Sequence, residues 1–169
     1  MLASGDVDSL SLRALARNVG VSATAVYRHF PDKEALLSAL AREGGIQLAK
    51  EQRRAQAAAP SAKEGFGETG AAYVRFALAN PALFRLMISR IRLGNGAGTE
   101  GDDDGLTLLF ENVRALLPPG TPDDVVTSKA IHAWASVHGL AMLMLDGQLP
   151  AEDAMIDNIA LSDLGLPSH

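Results

Sequence analysis

Apolar residues recur along this chain at the three- and four-residue spacing of α-helices, and no segment keeps the alternation of a β-strand. The pattern therefore predicts an all-α protein. Its first part predicts two short helices joined by a tight turn. Ser11 is the expected N-cap of a helix ending near Val19, and Ser22 that of a helix ending near His29. Gly20 lies between them, where a tight turn needs a left-handed residue. Apolar residues form the expected buried stripe of this pair: Leu12, Leu15, Ala16, Val19, Val26 and Phe30.

Capping residues and prolines predict six further helices. Their expected spans are 32–58, 61–78, 80–91, 106–117, 121–145 and 151–161. Gly44-Gly45 can bend the first of them, and Ser61 to Glu64 forms a capping box at the start of the second. The segment 94–105, GNGAGTEGDDDG, is typical of a flexible acidic loop.

The helix expected over 121–145 is apolar over too wide an arc to face a single core. At 100° per residue, its apolar positions from Ala130 to Leu145 cover roughly 220° of the circumference, with Leu143 outside that arc. A surface helix that packs on one core needs only about half that width. One face can therefore pack within its own subunit, and the other requires a second partner.

Charge is distributed unevenly, which changes what the net value of −5 implies. Residues 1–60 hold 8 Lys and Arg against 6 Asp and Glu, and residues 61–169 hold 7 against 14, so the two parts carry +2 and −7. Within Ser11–Lys33 the balance is +3. Phosphate affinity depends on local positive charge, so the acidic total does not exclude DNA. We expect the acidic part to face away from it.

Several classes of function require residues that this chain does not contain in a suitable arrangement. The chain has no cysteine, which excludes disulfides, zinc-thiolate sites and thiol nucleophiles. His132 and His138 lie about 120° apart on one helix and do not form a chelating pair, and Asp102–Asp104 lacks the spacing of a calcium loop. No phosphate loop or nucleophile elbow is present. We therefore expect no catalytic residue, metal site or cofactor. The absence of a membrane-length apolar run or secretion signal predicts a cytoplasmic protein.

The segment Leu10–Leu40, LSLRALARNVGVSATAVYRHFPDKEALLSAL, resembles the DNA-binding head of the tetracycline-repressor (TetR-like) family. The match comprises a small polar cap, an Ala in the first helix, Gly-Val, Tyr-x-His-Phe and Asp-Lys-x-x-Leu. A second segment, WASVHGLAMLMLDG at Trp134–Gly147, is similar to the Trp-x-x-x-His-Gly signature of one subgroup's C-terminal domain, and PALFRLM at Pro81–Met87 fits the same subgroup.

The resemblance implies a ligand-responsive transcriptional regulator, usually a repressor, that acts as a homodimer. It implies a helix-turn-helix DNA-binding domain at 1–45 and an antiparallel helical ligand-binding and dimerisation domain at 46–169. The last two long helices of each subunit would form a four-helix bundle. Its partners would be a double-stranded DNA operator and a small-molecule effector. Family members normally carry a full helix before this motif, whereas only Met1–Gly5 precede the loop to Leu10, so the first helix of the head is expected to be missing.

The position of each residue on its helix and its match to the family motif together predict which residues contact DNA. The set is Ser11, Arg13, Ser22, Ala23, Thr24, Tyr27, Arg28, His29 and Lys33. The first two begin the helix that braces on phosphates. The next three occupy the first turn of the reading helix, where side chains reach base edges. Tyr27, His29 and Lys33 match the family's phosphate contacts, and Arg28 lies beside them. A solvated helix face with incidental polar residues is the alternative.

Aromatic and methionine residues at helical spacing are the candidates for a ligand cavity between the middle helices. The set is Tyr73, Phe76, Phe84, Met87, Phe110, Trp134, His138 and Met142. Such residues are also typical of an ordinary core. Trp134 and His138 lie one turn apart, so indole N–H and imidazole can both address a polar atom of a ligand. The alternative is that His138 is a satisfied histidine of the core or an interface.

A second function fits the same residues. With its first helix missing, the chain is alternatively a helical small-molecule binding or interaction protein whose truncated head no longer binds DNA. An in-frame segment coding for a helix upstream of Met1 would favour the regulator.

Overall fold

The computed structural model describes residues 12, 16–17, 20, 22–91 and 104–160. Within these ranges the chain is helical and contains no β-strand, which confirms the predicted all-α class. The helices are α1 (Ala23–His29), α2 (Lys33–Ala58), α3 (Ala62–Ala79), α4 (Pro81–Arg90), α5 (Asp104–Leu116), α6 (Asp123–Leu145) and α7 (Asp153–Ala160).

The described residues of the head follow the predicted pair of helices. Leu12 and Ala16 are helical and buried, at 6% and 1% exposure. Gly20 has a φ of 73°, the left-handed value that the turn requires. The Ser22 side chain accepts a hydrogen bond from Ala25 N at 3.1 Å and caps α1, which ends at His29 as predicted. Residues 11, 13–15, 18–19 and 21 lie outside the described residues.

Helix α2 begins where the sequence predicts and runs without a break for 26 residues. Asp32 Oδ1 caps it by accepting from Ala35 N at 2.7 Å. The helix stays continuous through Gly44 and Gly45, where the sequence allowed a bend. A Cβ on Gly44 would lie 2.5 Å from Met87 Sδ, so the missing side chain lets α2 and α4 pack closely. Because α2 crosses residue 45, the expected domain division falls within one helix and stays a prediction.

Helices α3 and α4 begin where the sequence predicts, but only α3 has the predicted side-chain cap. Ser61 Oγ accepts from Glu64 N at 3.2 Å and bonds Glu64 Oε2 at 3.0 Å, which fixes the start of α3. Asn80 precedes α4 without a side-chain cap. Its Nδ2 instead donates to Phe76 O at 3.2 Å, so this residue satisfies the end of α3 while Pro81 opens α4.

The last three helices also depart slightly from the expected bounds. Helix α5 begins at Asp104 rather than near Leu106, and α7 begins at Asp153 rather than near residue 151. Helix α6 starts at Asp123 with no side-chain cap, because its N-cap residue, Pro122, has no side-chain acceptor, and Thr121 Oγ1 instead donates to Pro118 O at 2.7 Å. The predicted acidic loop falls mostly at 92–103, outside the described residues.

Helix α3 forms the centre of the molecule and packs against α2, α4, α5, α6 and α7. Its inward residues, including Val74 and Ala77, join Phe84 of α4 and Leu140 of α6 in the main buried cluster. A smaller cluster lies around Phe66 and links α3 to α5 and α6. The long helices α2, α3 and α6 thus form the main part of a helical body. The short helix α1 precedes this body, and its polar residues are exposed.

Candidate functional site

The first turn of α1 is exposed, as the sequence predicts for a DNA-reading helix. Ser22 and Thr24 are exposed, and Ala23 is helical within the same turn. Exposed polar side chains continue toward the other end of the helix: Tyr27, at 43% exposure, Arg28 and His29. Val26 and Phe30 are partly buried on its other side. The helix therefore presents a capped, polar first turn to the outside.

The remaining predicted DNA contacts are divided between described and undescribed residues. Lys33 lies at the start of α2 and is partly buried. Ser11 and Arg13 fall outside the described residues, as does the side chain of Ala23. Contact of all nine residues with DNA stays a prediction.

An ion pair joins the head's supporting helix to the body. Arg90 Nη1, at the end of α4, donates to Glu34 Oε1 at 2.6 Å and to Ser38 Oγ at 3.2 Å in the first turns of α2. The hydrogen bond from Arg90 lowers the pKa of Glu34. Two residues of the same stretch, Met87 and Ile88, line a cavity in the body. Helix α4 thus contacts the first turns of α2, which directly follow α1, and also contributes residues to the cavity wall.

The cavity lies between α2, α3, α4, α5 and α6 and is partly open to solvent, with about 700 Å³ of empty space in and around it. Small-molecule sites in helical proteins commonly lie between helices in this way. The wall is mostly apolar, with Leu48, Phe66, Ile88, Leu109 and Val137 among its residues. The polar side chains on the described wall are Gln52, Thr69, Tyr73 and Trp134, all uncharged amides, hydroxyls or indoles.

Three side chains form a hydrogen-bonded group at one side of the cavity. Trp134 Nε1 donates to Tyr73 Oη at 3.1 Å, and Tyr73 Oη lies 3.0 Å from His138 Nδ1. Burial lowers the pKa of His138 below its ordinary value, which favours a neutral imidazole. The indole N–H is the only hydrogen-bond donor of the Trp134 side chain, and it is used by Tyr73. These contacts are those expected of a satisfied histidine in a core, and a ligand role for His138 stays a prediction.

Gln52 is the wall residue with an unused polar atom. Its Nε2 donates to Thr69 O at 3.1 Å, which ties α2 to α3. Its Oε1 is buried and has no hydrogen-bond partner among the described residues. Thr69 Oγ1 in turn donates to Phe66 O at 2.7 Å.

The structure brings three of the eight predicted ligand residues to the cavity wall: Tyr73, Met87 and Trp134. The other five are not among its described lining residues. Phe76 and Phe84 are buried in the main core, with His138 and Met142 nearby, and Phe110 packs on the smaller cluster. As ligand contacts, all eight stay predictions.

Sequence reasoning missed Gln52 and Thr69. Gln52 stands in the polar run KEQRRAQ, which is typical of a solvated helix face, and nothing local indicates its bond to Thr69. Phe66 also lies on the wall and was not among the predicted ligand residues.

No helix in the described part of the chain is long and apolar enough to cross a membrane. Among the same residues, no group of three or more His, Cys, Asp or Glu side chains is placed to hold a metal ion.

Comparison with known proteins connects both parts of this architecture to one family. Residues 66–162 match the model of a tetracyclin repressor-like C-terminal domain, and residues 1–40 match that of the tetR family of bacterial regulatory proteins. The chain belongs to the TetR family. TetR-family proteins are DNA-binding transcriptional regulators that respond to small molecules, and they are not in general enzymes. The Trp-x-x-x-His-Gly subgroup and the missing first helix stay predictions, the latter because residues 1–11 are not described.

Solved structures share this TetR fold. A protein of unknown function from Rhodococcus sp. RHA1 is 34% identical, with a TM-score of 0.77, and the match covers 98% of this chain and 89% of that one. The protein SCO4313, whose name assigns it a regulatory role, has a TM-score of 0.71 at 22% identity. That match covers 96% of this chain and 88% of the other, and it supports the fold alone.

Proposed function

We propose that this protein is a homodimeric repressor that binds an operator through α1 and releases it when a small molecule binds in the body. The observation that carries the proposal is the exposed, Ser22-capped first turn of α1, with Thr24 in it and Tyr27, Arg28 and His29 following. A helix with that arrangement can place its first turn against base edges while its neighbours grip phosphates. Operator binding implies a cytoplasmic location, and residues 1–45 would form the DNA-binding domain and 46–169 the ligand-binding and dimerisation domain.

Dimerisation is supported by the outer face of α6. Ile131, Ala135 and Leu143 are exposed there at four-residue spacing, and a Cβ on Gly139 between them would meet nothing within 4 Å. The opposite face of α6, with Val126 and Leu140, is buried in the subunit. An exposed apolar face on a helix that is already packed on its other side is what a second copy can cover. We assign α6 and α7 to the dimer interface.

The effector is proposed to act by shifting a population of head spacings. Arg90 connects α4 to Glu34 and Ser38 at the base of the head, and Met87 and Ile88 connect α4 to the cavity. A ligand that moves α4 would alter the position of α2 and of α1 before it. Heads whose separation no longer matches half-sites about one helical turn apart would leave the operator. By linkage, operator DNA must weaken ligand binding by the same factor.

A gel-shift titration with the DNA flanking its gene tests the proposal. We expect a retarded complex on one fragment that survives excess unrelated competitor DNA at moderate salt. Binding that any competitor removes equally would contradict operator recognition. It would favour the alternative, a helical small-molecule binding protein with an inactive head.

A further inference from the structure

Helix α2 contacts the body in two different ways along its length. Ala41 and Leu48 pack in the main apolar cluster of the body. Leu36 and Leu37 precede them and are buried, but neither belongs to the two apolar clusters of the body. The first two turns of α2, which directly follow α1, therefore lie outside the apolar core of the body.

Arg90 makes a polar contact with this first part of α2. Its Nη1 donates to Glu34 Oε1 at 2.6 Å and to Ser38 Oγ, one turn later, at 3.2 Å. The Arg90 side chain is 26% exposed and that of Glu34 is 69% exposed. An ion pair of this exposure shifts a conformational equilibrium by only roughly two- to fivefold. The contact can therefore favour one position of the head without fixing it against a ligand that favours another.

The same end of α4 borders the cavity. Met87, Ile88 and Ile91 lie on the cavity wall, and Arg90 directly precedes Ile91. Met87 also packs on α2 at Gly44, where a Cβ would lie 2.5 Å from Met87 Sδ. A molecule in the cavity that displaces this end of α4 would therefore change the position of Arg90 relative to α2.

We propose that Arg90 is a positioning residue for operator binding, whose charge holds the first turns of α2, and with them α1, at one position relative to the body. The inference rests on the proposed function in one respect, that α1 is the part that contacts operator DNA. It adds that the position of the head depends on a charge interaction beside the cavity, which an effector can break at small cost.

Exchange of the two charges tests this role. Arg90→Glu places two carboxylates against each other, and Glu34→Arg places two guanidinium groups against each other, so each variant should move the head from its original position. The double variant Arg90→Glu/Glu34→Arg restores the attraction with the charges reversed and should restore the position. Such a rescue separates charge from side-chain packing, because both side chains remain changed in the double variant.

Electron–electron double resonance between two spin labels in one subunit measures the position of the head. The chain has no cysteine, so labels can be attached at Arg28→Cys on α1 and Ala79→Cys at the end of α3, both exposed positions. Excess unlabelled protein limits the measurement to distances within a subunit. We expect one dominant distance with the native pair, a loss of that population by roughly two- to fivefold relative to other distances in each single variant, and recovery in the double variant.

Arg114→Glu is the matched control. Arg114 Nη2 pairs with Asp123 Oδ1 at 2.7 Å and joins α5 to the start of α6, so this variant creates the same repulsion away from the head. It should leave the distance distribution unchanged. Glu34→Arg lies at the more exposed position of its pair and tests the role by itself if Arg90→Glu does not fold.

A distance distribution that neither single variant changes would overturn the role of Arg90. A double variant that does not restore the distance, or an equal change in Arg114→Glu, would overturn it as well, because packing or general destabilisation would then be the cause. In a gel shift, Arg90→Glu should weaken operator binding by roughly two- to fivefold more than Arg114→Glu, which changes the net charge equally. Equal operator affinity of these two variants would overturn the role in operator binding.

The distance measurements contain no DNA, so they fail independently of operator recognition. A protein that binds its operator but whose head position ignores these charges contradicts this inference alone. One whose head position follows the charges but that binds no operator contradicts only the proposed function.

Discussion

Single side chains on the head are expected to act in two distinguishable ways on DNA. Thr24 lies in the first turn of α1, where side chains meet base edges, so Thr24→Ala should change which operator is preferred, by about 1–3 kcal/mol at one base pair. Lys33 is predicted to contact phosphate. Lys33→Ala should weaken binding to all sequences and reduce the salt slope by about 1, as measured by anisotropy titrations. A changed site preference with an unchanged salt slope in Lys33→Ala would contradict these roles.

His138 gives a second expectation at the same scale. Burial lowers its pKa from an ordinary value near 6.5, so the unfolded chain binds a proton there more readily than the folded chain. The stability contribution of neutral His138 is present above that value and is lost as the pH falls below it. His138→Gln should therefore flatten the decrease in melting temperature between about pH 7 and pH 5. If His138→Gln melted with the same pH dependence as the unsubstituted protein, the buried neutral imidazole would not be responsible.

The candidate site shows which side-chain roles can be predicted from a sequence. Tyr73, Met87 and Trp134 were expected at a cavity because large apolar residues at helical spacing face inward. Gln52 could not be found in this way, because its importance depends on a carbonyl 17 positions away in sequence. For Trp134, the sequence could not show that Tyr73 takes its only hydrogen-bond donor.

At the scale of helices, short-range chemistry determines most boundaries. Ser22, Asp32 and Ser61 each accept a bond from the backbone N–H three residues later, and each helix begins where that cap predicts. The differences come from competing partners. Asn80 bonds backward to Phe76, so a residue expected to cap one helix instead closes the previous one. Sequence alone does not decide between two neighbouring helix ends.

Packing of α2 against α4 can be tested with two adjacent glycines. Gly45→Ala should stabilise the protein by about 0.5–1 kcal/mol, because alanine favours helix and its Cβ would meet nothing within 4 Å. Gly44→Ala gains the same helix propensity, but its Cβ would lie 2.5 Å from Met87 Sδ. Overpacking costs at most about 1–3 kcal/mol here, because the flexible Met87 side chain, which adjoins the cavity, can take up part of the shift.

Thermal and urea unfolding of the two variants isolates this contact, because the helix-propensity gain cancels in the comparison. We expect Gly44→Ala to be the less stable of the two. Equal stability would contradict the expectation that the close contact of α2 and α4 at Gly44 leaves no room for a methyl group.

At the scale of the whole molecule, the sequence indicated a partner that a single chain does not contain. The apolar arc of the helix over 121–145 was too wide for one core, and the structure divides that helix into a buried face and an exposed apolar face. The identity of the partner does not follow from that pattern, because any apolar surface of matching shape would satisfy it. A second copy is the partner proposed above.

Two isoleucines of similar exposure give a matched test of the dimer. Ile131 is 44% exposed on α6, within the proposed interface, and Ile46 is 43% exposed on α2. Ile131→Glu should shift sedimentation velocity profiles toward the monomer, because two carboxylates would be buried between the copies. Ile46→Glu should leave the dimer intact. Dissociation by both variants, or by neither, would contradict the assignment of α6.

Guanine-methylation interference on the retarded operator fragment tests the central claim most directly. Methyl groups at guanine N7 occupy the major groove, where the first turn of α1 is proposed to lie. We predict two clusters of interfering guanines about one helical turn apart, related by the symmetry of the dimer. A complex that forms equally well on methylated and unmethylated DNA, without paired clusters, would contradict the claim that α1 reads bases in the major groove.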